Sequence, residues 1–103
     1  MQMHNAKRIE IIIEQIMERR LTDVLTAAGV TGFTVLPVRG GSGRSGPWAR
    51  SGQISRAEGM SAVVCLVHPD KLNGVLEAFF PVLERHIGIV NVSDVQVVRA
   101  ELF

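Results

Sequence analysis

In residues 7–14, KRIEIIIE, isoleucine stands at 9, 11 and 13, so every second position is apolar. A period of two in a β-branched run predicts a first strand over 7–14. From residue 16 the spacing changes: Met17, Leu21, Val24, Leu25 and Ala28 recur three and four apart. That is one stripe of an amphipathic helix, and Gly29 is its natural stop. Residues 32–39, GFTVLPVR, set Phe33, Val35 and Pro37 against Thr34, Leu36 and Val38, a second strand in which the proline demands a sheet edge or a bulge. Residues 60–67, MSAVVCLV, read as a third strand. Pro69 and Asp70 then stand where a helix start tolerates proline and welcomes an acid. Leu72, Val75, Leu76, Phe79 and Leu83 form the stripe of that second helix, with Pro81 inside it and expected to kink it. Residues 89–99, IVNVSDVQVVR, close the series as a fourth strand.

Strand, helix, strand, strand, helix, strand is the split βαβ order of a ferredoxin-like α+β domain. Two helices cover one face of a four-stranded sheet. Yet the third strand is apolar on both faces, Met60, Ala62, Val64 and Leu66 against Val63, Cys65 and Val67, and the fourth offers Ile89 besides Val90, Val92 and Val95. A solvated face would alternate with polar residues, so a second copy of the chain is expected to cover it.

Composition narrows the function. With 103 residues, 47% of them hydrophobic and 20% charged, the chain is expected to be a single domain spanning 1–103. The net charge of +1 and the scatter of Lys and Arg argue against a nucleic-acid partner. Cys65 is the single cysteine and lies in an apolar run, which removes disulfides and C-x-x-C pairs and fits a reducing cytoplasm. The start, MQMHNAKRIE, has no apolar signal core, and no apolar run approaches membrane-spanning length, so neither secretion nor membrane insertion is expected.

Residues 40–58 have no period and are rich in Gly, Ser and Arg, which reads as one long exposed loop. Gly41, Gly43 and Gly46 spell G-x-G-x-x-G after a strand. A dinucleotide-binding turn would open a helix there, and a Walker A loop would need Lys and Ser or Thr where Pro47 and Trp48 stand. What survives is a glycine nest of converging N–H groups, with Arg39, Arg44 or Arg50 adding charge, set against a plain flexible linker. Trp48 either docks on a partner or pins the loop to its own domain. His4, His68 and His86 are far apart in sequence and lack ligand spacing, so no metal site is expected; His86 draws attention only by its nearness to Gly88. Asp70, Glu77 and Glu84 read as a solvated helix face. No pattern of acid, base and nucleophile predicts an enzyme.

Three segments together resemble the PII signalling-protein family: GVTGFTVLPVRGGSGR from Gly29 to Arg44, HPDKLNGVLEA at the start of the second helix, and VNVSDVQVVR in the last strand. The resemblance implies a homotrimer with inward-facing sheets, adenine-nucleotide sites in the clefts between subunits, and a regulatory T-loop over 40–58. It implies that Gly32, Phe33 and Thr34 line the base, that Cys65 and Val67 border the site, that Gly40 and Gly41 face the phosphates, that Gly88 lines the cleft at the turn before the last strand, and that Arg99 contacts phosphate. The family's nitrogen-sensing members carry a T-loop tyrosine that is uridylylated, and this sequence contains no tyrosine. Their G-D-G-K phosphate turn is replaced by RHIGIVN, which favours ADP or AMP over ATP. The compact glycine-rich loop is closer to PII-like proteins of bicarbonate transport and carboxysomes. The expectation is a non-catalytic regulator that binds ADP, AMP or ATP, takes bicarbonate at Arg39, Gly40, Gly41 and Ser42, and presents Arg44, Trp48 and Arg50 to a membrane bicarbonate transporter. Nitrogen control of the PII type and a CutA-like trimeric metal-tolerance protein are the alternatives.

Overall fold

The computed structural model describes residues 1–43, 59–86 and 88–99, together with the backbone of 46–49. Among the described residues six strands and two α-helices follow in the order β1 (His4–Glu14), α1 (Glu18–Ala27), β2 (Phe33–Val38), β3 (Gly41–Gly43), β4 (Gly46–Ala49), β5 (Met60–Val67), α2 (Leu72–Leu83) and β6 (Gly88–Val97). Four of the strands make one antiparallel sheet in the order β2-β5-β1-β6. With the two helices this is the βαββαβ ferredoxin-like fold.

Register fixes which side chains share a face. Ile9 pairs with Cys65 and Val92, and Ile11 with Val63 and Val90. These positions face the helices, where they bury Ile9, Ile11, Ile13, Val63 and Cys65 against Leu21, Leu25, Val75, Phe79 and Val82. Burial of this kind contributes about 25 cal/mol for each Å² of apolar surface removed from water. Ser61 is the buried polar side chain of this layer, and its hydroxyl donates to Glu18 Oε1 at 2.7 Å. The partner comes from the first turn of α1, so the hydrogen bond ties that helix to β5.

Several boundaries differ from the periodic reading. β1 begins at His4 rather than at residue 7, because its first residues pair with the end of β6, His4 with Val97 and Asn5 with Gln96. Helix α1 begins at Glu18 after a 3-10 turn over Gln15–Met17, and Ile16 is left exposed. Its end is where the sequence puts it: Gly29 has φ 91°, and the Val30 N–H returns to the Leu25 carbonyl at 3.0 Å. Pro69 and Asp70 belong to a 3-10 turn that precedes α2. Pro81 lies inside α2, and the helix runs on to Leu83; the carbonyl deprived of a donor belongs to exposed Glu77, where water can replace it.

Part of the segment expected to be aperiodic is paired. β3 and β4 form a two-stranded antiparallel ribbon in which Gly43 opposes Gly46, with a bulge between Gly41 and Ser42. Backbone ladders need no side-chain alternation, so a glycine-rich ribbon leaves no period to detect. Residues 44, 45 and 50–58, and the side chain of Trp48, lie outside the described residues, as do the roles expected of Arg44, Trp48 and Arg50.

Candidate functional site

The face of the sheet turned away from the helices carries alternate positions of all four strands. β2 is an edge strand, as Pro37 requires, and contributes Thr34 and Leu36. β5 contributes half-buried Val64 and Leu66, and β6 contributes exposed Ile89 and half-buried Val95 and Val97. Leu36 is 47% exposed and Ile89 56%. The middle of this face is mixed: β1 places Arg8, Glu10 and Glu14 on it together with Ile12, which pairs with Ala62 and Ile89. Arg8 Nη2 reaches Glu10 Oε2 at 3.3 Å, and Asn91 Nδ2 donates to Glu10 Oε1 at 3.0 Å. The Asn91 amide above all, with Arg8, holds the Glu10 carboxyl below its ordinary value.

At one end of this face lies a cleft of about 660 Å³. Gly32, Phe33 and Thr34 form one wall, Val64, Cys65 and Leu66 the floor, Arg8 the middle, and Val95, Gln96 and Val97 the far wall. Phe33 is 39% exposed at the β2 edge, and its pairing with Cys65 directs its ring to the helix-facing side of the sheet. Apart from its chain neighbours, no atom of the described residues lies within 4 Å of the place a β-carbon on Gly32 would take, which leaves that corner open.

Four of the expected site residues meet here: Gly32, Phe33, Thr34 and Cys65. Cys65 contributes only to the floor. Its side chain is 2% exposed and belongs to the helix-facing core, and burial pushes its thiol up to about 11. Val67, also assigned to the nucleotide, is packed in that same core and does not line the cleft. Arg8, Val64, Leu66, Val95, Gln96 and Val97 complete the cleft without having been singled out. The available signal was parity: Arg8 and Glu10 fall on the face opposite Ile9 and Ile11, in a strand whose neighbours are apolar on both faces.

Gly40, Gly41 and Gly88 lie elsewhere. Gly88 pairs with Ile13, level with Ser61 and Pro37, whereas Phe33 pairs with Cys65 four residues away along the strand. Four residues of strand and three inter-strand spacings put Gly88 roughly 20 Å from Phe33 within one protomer. Gly40 follows β2 at that same end, and Arg39, Gly40, Gly41 and Ser42 are all exposed there. Arg99 is exposed just beyond β6, past the cleft end of the sheet. Glu14 closes β1 near Gly88 and accepts His86 Nδ1 at 3.1 Å, so His86 has a carboxylate neighbour that only the fold supplies. Among the described residues no three His, Cys, Asp or Glu side chains are grouped to hold a metal, and no helix is long and apolar enough to cross a membrane.

A four-stranded ferredoxin-like sheet with an open cleft at one end and a long connection between β2 and β5 defines the fold class, and comparison with known families identifies the family. The nitrogen regulatory protein P-II family matches residues 6–102, and the chain belongs to that family, whose members are regulatory rather than catalytic. No curated protein sequence matches it. Among solved structures it is similar to CPII, a nitrogen regulatory PII-like protein from Thiomonas intermedia K12, bound to ADP, AMP and bicarbonate. That match has a TM-score of 0.87 and 30% identity over 99% of this chain and 96% of the other. CPII bound to ADP and bicarbonate matches with a TM-score of 0.84 and 31% identity over 99% and 97%. The apo form of CPII matches with a TM-score of 0.73 and 29% identity over 93% and 95%. The family match sets the metal-tolerance alternative aside.

Proposed function

We propose that the chain is a single PII-like domain, 1–103, that assembles as a homotrimer, binds ADP or AMP between subunits, and regulates inorganic-carbon uptake from the cytoplasm through its 40–58 segment. One observation carries this reading. Gly32, Phe33 and Thr34, expected to line the base, stand at the opposite end of one protomer's sheet from Gly40 and Gly41, expected at the phosphates, and from Gly88, expected to line the cleft, roughly 20 Å apart. A neighbouring copy brings one protomer's Phe33 end to another's Gly40 end and completes a site that neither holds alone. The exposed Leu36 and Ile89 support the same assembly, since apolar residues of a sheet face gain by burial against another copy.

The CPII structures support the ligands, since that protein is bound to ADP, AMP and bicarbonate. In this chain Arg99 contacts phosphate, Cys65 borders the site from the floor, and Arg39, Gly40, Gly41 and Ser42 form the bicarbonate nest. Amide–anion hydrogen bonds at Gly40 and Gly41 favour one conformation of the loop, and the population shift presents Arg44, Trp48 and Arg50 to a membrane bicarbonate transporter.

Calorimetry with ADP, AMP and ATP, with and without bicarbonate, tests the proposal, alongside light scattering of the eluting protein. Trimer mass, submillimolar ADP or AMP binding, and tighter nucleotide binding in bicarbonate are expected. A monomer, or no nucleotide bound at submillimolar concentration, overturns it.

A further inference from the structure

We infer that His86, oriented by Glu14, is a proton-dependent contact for the nucleotide's phosphate, so that binding takes up a proton; this rests on the nucleotide reading above. That reading brings the phosphates to the end of the sheet where Gly40 and Gly41 lie. Register shows what else stands there. Glu14, Met60 and Val38 form one row across β1, β5 and β2, and Gly88, Ile13, Ser61 and Pro37 form the next. Glu14 is thus two strand spacings, about 10 Å, from Val38, which the exposed Arg39, Gly40 and Gly41 follow directly. Groups so placed can meet successive phosphates of one ligand.

Among the described residues the ring's contact is through Nδ1, 3.1 Å from Glu14 Oε1. A carboxylate accepts and does not donate, so Nδ1 carries the hydrogen, and Nε2 is the ring atom left for a ligand. The His86 side chain is 32% exposed and that of Glu14 22%, so the ring is reachable while its orienting partner is the more covered of the two. In the neutral ring Nε2 offers a lone pair, which repels an anion; with a proton it offers an N–H and a full charge. A phosphate that binds at Nε2 therefore selects the protonated ring.

The charged groups at this end, among the described residues, come from four elements. β1 supplies Glu14, and the end of α2 is followed by exposed Glu84 and Arg85. Glu18 of α1 is engaged by the Ser61 hydroxyl, and Arg39 follows β2. β5 and β6 bring Met60, Ser61, Gly88 and Ile89, which carry no charge. The arginines keep their charge throughout and add affinity without pH dependence. Histidine is the side chain whose charge changes between pH 5 and 8. Protonation and phosphate binding favour each other reciprocally, so nucleotide affinity is highest on the acid side of that range and declines as pH rises.

Calorimetric titration of the full chain with ADP and with adenosine tests the assignment, at pH 6 and pH 8 in bicarbonate-free buffers of different ionisation enthalpy. Wild type, His86→Gln and His86→Lys are compared. A phosphate monoester itself titrates at about pH 6, so the readout is the difference between wild type and His86→Gln, which share that contribution. Wild type is expected to gain roughly tenfold more ADP affinity than His86→Gln on going from pH 8 to pH 6, with a larger proton uptake. His86→Lys keeps tight ADP binding and loses the excess pH dependence, and it supplies the comparison if the glutamine variant does not fold. Adenosine shows no excess. Equal pH dependence in wild type and His86→Gln, or the same excess with adenosine, would overturn the assignment. Wild-type protein that binds no ADP at either pH fails the functional reading and this inference with it, whereas wild-type ADP binding with an indifferent His86→Gln fails the His86 assignment alone.

Discussion

Gly88 is packed against the backbone of Ile12: a β-carbon at residue 88 would stand 3.2 Å from the Ile12 carbonyl oxygen and 3.3 Å from Leu83 Cδ2. The close approach sets the joint between the end of α2 and the start of β6. Packing thus favours glycine at this position, since a larger residue would have to push its neighbours back by a few tenths of an ångström.

Gly88→Ala is expected to destabilise the fold by about 1–3 kcal/mol, the usual cost of overpacking. β1 is hydrogen-bonded on both sides, to β5 and β6, and cannot retreat. Urea unfolding of the variant checks this, with an unchanged midpoint as the contrary result.

Ser61 and Glu18 are expected to be coupled. Removing Ser61's hydroxyl partner leaves a donor that is 3% exposed without an acceptor, so Glu18→Ala should cost about 1–3 kcal/mol. Ser61→Ala in that background should then cost less than it does in wild type. A double-mutant cycle measured by denaturant unfolding reads the difference.

Glu10 gives stability a defined acid limb. Its carboxyl is held below its ordinary 4.5, first by the Asn91 hydrogen bond and then by Arg8, against an opposing effect of burial. The folded state therefore gives up this proton more readily than the unfolded chain. The contribution is complete above about 4.5 and is lost as pH falls through the folded value. Asn91→Ala should flatten the fall in melting temperature between pH 5 and pH 3, and an unaltered slope would show that the amide does not hold the carboxylate.

Cys65 should be unreactive. With its thiol pushed up to about 11 by burial, a thiol reagent at pH 7.5 should label native protein far more slowly than urea-unfolded protein. The raised value also has a sign in stability: the protonated thiol favours the fold below the ordinary 9.0, and that advantage is lost as pH rises from 9 toward 11. Cys65→Ala should reduce this alkaline loss, as followed by melting temperature.

The strands were legible wherever side-chain period reports burial. Residues 60–67 are strand at both predicted ends, and Gly29 closes α1 in the one backbone conformation that favours glycine. The ribbon of β3 and β4 was not legible, because glycine and serine carry no face to alternate. His4 and Asn5 escaped for a related reason: neither is apolar, and pairing with Val97 and Gln96 draws them into the strand.

The candidate site divides in the same way. Gly32, Phe33 and Thr34 could be found as a continuous segment, but Arg8 reaches them only across β5, and Glu14 meets His86 from 72 residues away. Parity in β1 was enough to say that Arg8 and Glu10 leave the helix-facing core, since alternate side chains of a strand point apart. Which strands flank them, and at what register, was fixed only by hydrogen bonding between segments distant in sequence. By itself the sequence determined the element order, the helix-facing core and the glycine that ends α1, all of which depend on neighbours a few residues apart. Tertiary structure decided that Val67 packs away from the cleft, that Arg8 stands within it beside Glu10, and that Gly88 lies a sheet's breadth from Phe33, because register and strand order set those distances.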